Sequence, residues 1–132
     1  ASSLEGVLAQ RLVRLVCQNC REDFEPSEEK DLLAEWNVDV PETLYRGKGC
    51  PECQGTGFRG RSGVFELMLM TEEIRSIVLR HAAAGEVRKL ALSEGMKSLH
   101  KDGWRLVLEG RTTVEELLRE TKDEPKNGNS AN

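Results

Sequence analysis

Aromatic residues make up only 5% of this 132-residue chain: three Phe, two Trp and one Tyr. Zinc modules that bind nucleic acid usually interleave aromatics with basic side chains, and the net charge of -4 supplies no basic field either. Those two shortages argue against a nucleic-acid surface. Histidine is scarce as well, with only His81 and His100. No Ser/His/Asp set, no Cys/His pair at workable spacing and no cleft-forming carboxylate cluster is present, so the chain shows no catalytic machinery. No Gly-Lys-Ser/Thr follows a glycine-rich turn, which excludes a phosphate loop. Gly55-x-Gly57-x-x-Gly60 matches the dinucleotide pattern formally. It follows a cysteine pair rather than a strand and leads into a strand rather than a helix, so that reading fails. No apolar run reaches twenty residues and no signal-peptide pattern is seen, which makes a reducing cytoplasm the expected setting. The hydrophobic share of 38%, together with twelve glycines, is near the globular norm and excludes bulk disorder.

What the chain does have is four cysteines in two Cys-x-x-Cys pairs, Cys17/Cys20 and Cys50/Cys53. One such pair fills two corners of a tetrahedron from a short loop, and the second completes a closed four-thiolate shell. A closed shell leaves no position for water or substrate, so the metal would be structural, and zinc is the expected ion. Ordering the loop between the pairs costs roughly 3–4 kcal/mol, against about 10–16 kcal/mol of apparent zinc binding in small Cys/His peptides. Two disulfides, a redox pair and a rubredoxin-like iron site are the competing readings. A thioredoxin-like pair needs a strand-to-helix junction in a βαβ pattern, which neither pair has. Arg59, Arg61 and Lys48 beside the second pair read as partners for the net negative charge of four thiolates and one dication. With the shell full, His81 and His100 are expected as solvent-facing helical residues.

Along the chain, Leu4, Val7, Leu8, Leu12, Leu15 and Val16 recur at three- and four-residue steps and predict a helix over residues 2–16, with Ser2 and Glu5 at capping-box spacing. Arg11 falls on its apolar side, either as a snorkelling stem or as a contact to an anion. Pro26, Ser27 and two glutamates announce a short helix carrying Leu32, Leu33 and Trp36. Residues 43–48 read as extended, and the stretch from Gly57 to Met70 as a turn and hairpin ending in a strand. After Thr71, four short helical stripes follow, interrupted at Gly85, Gly95 and Gly110. Thr113 and Glu116 form a capping box for the last of them. None can bury its stripe alone, so a compact bundle is expected. The polar residues 122–132 read as a disordered tail.

The ordered set Leu4-Glu5-Gly6-Val7-Leu8-Ala9-Gln10-Arg11-Leu12, Cys17-x-x-Cys20, Gly49-Cys50-Pro51-x-Cys53-x-Gly55-Thr56-Gly57-Phe58-x-Gly60-Arg61, Gly95-Met96-x-x-Leu99 and Thr112-Thr113-x-Glu115-Glu116 resembles the C-terminal part of type II secretion and type IV pilus assembly ATPases. The resemblance implies an α+β fold: a small zinc-stapled tetracysteine subdomain with a β-hairpin, followed by a compact bundle of short helices. It further implies that residues 1–16 end the ATPase core, 17–70 form the zinc subdomain, and 71–121 the C-terminal helical subdomain. The whole motor would be a cytoplasmic homohexamer using ATP and Mg2+, working against an inner-membrane platform protein. Without a phosphate loop, this chain is expected not to hydrolyse ATP alone. Arg11 and Arg14 would lie near nucleotide or a subunit boundary, and Phe58, Arg59 and Arg61 would contact a neighbouring subunit or the platform. The alternative is a chaperone-type or nucleic-acid-binding zinc module, because Cys50-Pro51-x-Cys53-x-Gly55-x-Gly57 is similar to one repeat of the cysteine-rich domain of J-domain co-chaperones.

Overall fold

Gly6–Val16 forms a strand, β1, and not the helix predicted from its apolar spacing. The computed structural model describes residues 5–126, so Leu4 and the Ser2 end of the expected cap lie outside the described residues. Helix propensity separates these residue types by only tenths of a kcal/mol each, which a long tertiary pairing overrides. That pairing is with β4, Phe58–Leu69, in antiparallel register from Gly6↔Leu69 to Arg14↔Arg61 and then, after a register shift, Val16↔Phe58. Val13 and Val64 bury completely on the inner face. On the outer face Leu8, Leu12, Phe65, Leu67 and Leu69 stay exposed. A ribbon apolar on both faces satisfies the helical and the strand period together, and this is why the sequence pattern misled. The strand expected near residue 64 is likewise longer and starts at Phe58, and its partner is β1 rather than a local hairpin neighbour.

A second two-stranded ribbon, β2 (Arg21–Phe24) with β3 (Leu44–Gly47), sits beyond the first cysteine pair. Between its strands runs α1, Glu29–Glu35, whose Leu33 is fully buried. Then come α2 (Glu72–Leu79), α3 (Ala84–Ser93), α4 (Leu99–Leu108) and α5 (Val114–Glu120). Thr71, Ser98 and Thr113 cap α2, α4 and α5 by accepting from a backbone N–H of the first turn. Helix α4 packs on β4 and α5 on β1, so the core lies between the long ribbon and these two helices, around Val13, Val64, Leu99, Leu106 and Leu117. Glu66 of β4 ties the layers together. Its carboxylate accepts from Arg88 Nη1 and Nη2, at 2.8 and 3.1 Å, and from the Leu99 N–H at 2.8 Å. The architecture is α+β, with the cysteine-bearing ribbons followed by short helices.

Gly103 sits where α4 crosses α5: a Cβ added there would stand 2.2 Å from Leu117 Cδ1. An exposed helical glycine replaced by alanine gains up to about 1 kcal/mol. Here overpacking reverses the sign, and Gly103→Ala should cost about 1–3 kcal/mol. Urea denaturation checks this, and a raised midpoint would show that α5 yields freely.

Two expectations are corrected on the histidines and the tail. His100 is 2% exposed, stacked on Trp36 at 4.2 Å between ring centroids, because the loop after α1 folds back over α4. His81 is exposed, but it follows α2 in a left-handed turn conformation, φ 61°, rather than lying within a helix. Residues 122–126, expected to be disordered, fold back on the body: Glu124 pairs with Arg11, and Lys126 lies over the Trp36 ring. Residues 127–132 of that expected tail lie outside the described residues.

Candidate metal centre

The four cysteines mark the places where the two ribbons meet. Cys17 directly follows β1, Cys20 directly precedes β2, and the second pair occupies the turn between β3 and β4. Strand pairing therefore delivers both short loops to one point from opposite sides. Pro51–Cys53 forms a single 3-10 turn, and Gln54 then takes a left-handed conformation that turns the chain toward β4. Backbone hydrogen bonds clamp the loops together: the Cys17 N–H donates to Gly57 O at 2.9 Å and the Lys48 N–H to Cys20 O at 3.1 Å. Gly57 has φ 82°, and a Cβ on it would lie 2.5 Å from Gly47 O. Only glycine permits both that conformation and that approach.

All four Sγ atoms lie within 4.8 Å of one another. Cys17 and Cys50 are 3.8 Å apart, Cys20 and Cys53 3.8 Å, and Cys50 and Cys53 3.7 Å. Four sulfurs held about 2.3 Å from one zinc ion define a tetrahedron with edges of about 3.8 Å. The fit is close, and the distances are far longer than the roughly 2.05 Å of a disulfide. All four thiols are free.

Donors converge on the sulfurs. The Gly49 N–H points to Cys20 Sγ at 3.2 Å, the Cys50 and Gly57 N–H groups to Cys53 Sγ at 3.3 and 3.2 Å, and Asn19 Nδ2 to Cys50 Sγ at 3.2 Å. This is how a protein stabilises excess thiolate charge around a dication. Burial works against the Cys53 thiolate, yet the two N–H groups hold its pKa down to about 6. Asn19 lowers that of Cys50, while burial pushes Cys20 up to about 11. The site is thus prepared for negative sulfur at some corners before any ion arrives. Asn19 was not singled out from the sequence, and the signal was there: a polar amide inside the Cys-x-x-Cys loop is placed to donate to a neighbouring sulfur.

The remaining predicted site residues lie around β1 and the start of β4. Arg14 donates to Glu116 through Nε at 3.1 Å and Nη2 at 2.8 Å, and its guanidinium lies 4.1 Å above the Phe58 ring. Arg11 pairs with Glu124. Arg59 pairs with Glu52 on the exposed surface at 3.0 Å. Arg11, Arg14, Arg61 and Arg119 line one shallow cavity of about 560 Å³ with Glu116 and Glu120. Phe58 and Arg59 are therefore not in that cavity, and Phe58 serves first as the floor for Arg14. The role of Glu116 in joining β1 to α5 was missed, since sequence spacing assigned it only to a cap.

A model of the protein family described as "Type II/IV secretion system protein" matches residues 1–119. The type II secretion system protein E of Pseudomonas aeruginosa is 43% identical over 124 residues, covering 94% of this chain and 24% of that protein. The type II secretion system ATPase E of Vibrio cholerae is 40% identical over 124 residues, 93% of this chain and 24% of that protein. The type IV pilus assembly ATPase PilB of Thermus thermophilus is 40% identical over 124 residues, 92% of this chain and 14% of that protein. This chain thus spans about a quarter or less of the relatives it matches, with its four cysteines arranged to hold a metal ion. It belongs to the type II/IV secretion system protein family.

Proposed function

We propose that this chain is the zinc-binding C-terminal region of a secretion or pilus assembly motor ATPase, and that the metal is structural. The observation that carries the reading is the four-sulfur cluster with tetrahedral spacing, in a chain matched nearly throughout by the family. Whole relatives bear the names secretion and pilus ATPases, so in the complete protein this region would serve a hexameric motor that uses ATP and Mg2+. A cytoplasmic position at the inner membrane, held there by a platform protein, follows from that role. Among the described residues, no helix is long and apolar enough to cross a membrane.

Residues 1–16 would belong to the motor core, 17–70 to the zinc subdomain and 71–121 to the helical subdomain. The outer row of Leu8, Leu12, Phe65, Leu67 and Leu69 supports this division. A ribbon that leaves so many large apolar side chains uncovered suits a longer protein that buries them. Arg11 and Arg14, with carboxylate partners already in place, suit a subunit boundary better than a nucleotide phosphate, which would have to displace those partners.

Elemental analysis of the purified chain should return one zinc per polypeptide, with iron or no metal as the outcome against it. Arg59 and Arg61 are both exposed and carry no core packing. The pair Arg59→Glu and Arg61→Glu, placed in the full-length motor, should reduce transport or assembly while leaving zinc content unchanged. Normal transport would remove these residues from the contact surface. Salt-sensitive, saturable oligonucleotide binding would favour the alternative nucleic-acid module.

A further inference from the structure

The four sulfurs of the metal centre are not held alike. Cys17 and Cys53 are 1% and 6% exposed, and Cys53 Sγ accepts from two backbone N–H groups, those of Cys50 and Gly57. Cys20 and Cys50 are only half-buried. Cys20 Sγ accepts from the Gly49 backbone N–H at 3.2 Å. Cys50 Sγ accepts its N–H from a side chain instead, Nδ2 of Asn19 at 3.2 Å, and that hydrogen bond lies on the exposed surface. Among the described residues, Cys50 is therefore the sulfur that combines access to solvent with a donor the backbone does not fix.

That difference has chemical consequences. A backbone N–H stays aimed at its sulfur for as long as the turn stands, and the 3-10 turn Pro51–Cys53 with left-handed Gln54 and Gly57 holds the two donors of Cys53 in this way. The Asn19 amide leaves its sulfur by rotation about its own side-chain bonds, and Asn19 is exposed. An N–H donated to an anionic sulfur stabilises the charge, and the thiolate is the form that binds metal and attacks electrophiles. Asn19 also spans the centre, since it belongs to the Cys17–Cys20 turn while Cys50 belongs to the turn after β3. Its bond joins the two loops at the sulfurs themselves. The backbone bonds from Cys17 N–H to Gly57 O and from Lys48 N–H to Cys20 O join them independently, so the loops stay together without it.

We propose that the metal centre exchanges its ion through the Cys50 corner, and that Asn19 is the latch on that corner: a positioning residue that keeps the Cys50 sulfur on the metal. Cys50 lets go first when a competing ligand arrives, while Cys17 and Cys53 stay behind in the buried half of the cluster. The inference rests on the zinc reading above and adds to it which ligand governs gain and loss of the ion.

The test uses the full zinc-loaded chain. Zinc transfer to the coloured chelator 4-(2-pyridylazo)resorcinol should run about ten-fold faster from Asn19→Ala than from the parent chain. Gln18→Ala, exposed in the same turn, should match the parent. Asn19→Leu returns the bulk of the side chain without a donor, and should be as fast as Asn19→Ala. Recovery of the parent rate by leucine would show packing and overturn the latch. Amide exchange at Cys17 and Lys48 should be the same in Asn19→Ala as in the parent, and lost protection there would assign Asn19 to the fold instead.

A second measurement reads the corner directly. Substoichiometric N-ethylmaleimide, with the modified residue located by mass spectrometry, should reach Cys50 before the other three cysteines, and about ten-fold faster in Asn19→Ala. One zinc per chain with equal release rates, or with Cys20 modified first, would overturn the inference and leave the metal centre standing. A parent chain that takes up no zinc would overturn both.

Discussion

Cys53→Ser is expected to lose stoichiometric zinc and to open the region around both cysteine loops, the largest single effect foreseen for this chain. Cys53 is the best-supported sulfur, receiving two backbone N–H groups and facing Cys20 and Cys50 within 3.8 Å. A serine hydroxyl is a poor zinc ligand and breaks the closed shell. Structural zinc contributes about 10–16 kcal/mol of apparent binding in small peptides, and ordering the loop between the pairs costs roughly 3–4 kcal/mol. Losing the ion therefore removes more than these short ribbons replace, since β2 and β3 each have only four residues. Hydrogen exchange should show lost protection from Cys17 to Gly57, with the amides of α4 and α5 changing less, because Leu99, Leu106 and Leu117 share their core with Val13 and Val64 of the long ribbon, which lie outside that segment. A strong chelator should reproduce the pattern in the unmodified chain. Acid should do the same, because protons compete with the metal for thiolate. A Cys53→Ser protein that keeps one zinc per chain, with unchanged exchange, would overturn the four-ligand centre.

How much of this was readable beforehand depended on the range over which each signal acts. The Cys-x-x-Cys pairs impose their geometry locally, so their meeting was legible without any knowledge of strand pairing. The Thr113 cap was legible for the same reason: the Glu116 N–H donates to its hydroxyl at 3.1 Å, three residues away. The second half of that capping box was not, because the Glu116 side chain turns from its own helix to Arg14, 102 residues earlier. His100 was misread by the same mechanism, since its aromatic partner Trp36 arrives from a distant helix end. Strand β1 failed for a different reason. Its outer row of Leu8 and Leu12 is as apolar as its inner row, so periodicity carried no face to read. In each miss a long-range contact decided what a local pattern left open.

Arg14→Ala is expected to cost about 2–4 kcal/mol, because it leaves the Glu116 carboxylate, 3% exposed, without its main partner. The upper end of the range for a broken buried pair does not apply, since the Arg14 side chain is 37% exposed and partly screened. Arg119, 3.4 Å from the same carboxylate, compensates only in part. The melting temperature should fall by on the order of 10 °C. Glu116→Gln keeps an acceptor for the Arg14 N–H, now 2.9 Å from the carboxylate, and should cost less. Its pH dependence provides a sharper test. Burial pushes the Glu116 carboxyl upward, but hydrogen bonds from the Arg14 side chain and backbone outweigh it and hold the group below the ordinary carboxylate range. A folded-state pKa below the unfolded value means that the stabilisation is fully present above the unfolded pKa of about 4.3 and is lost as pH falls through the folded one. The stability gap between the parent chain and Glu116→Gln should therefore be constant from neutrality down to about pH 5 and narrow below about pH 4. Both proteins carry the same thiols, so acid release of metal cancels in the difference. A gap that stays flat through that window would show that Arg14 and Glu116 join β1 to α5 by shape and hydrogen bonding alone, with no contribution from charge.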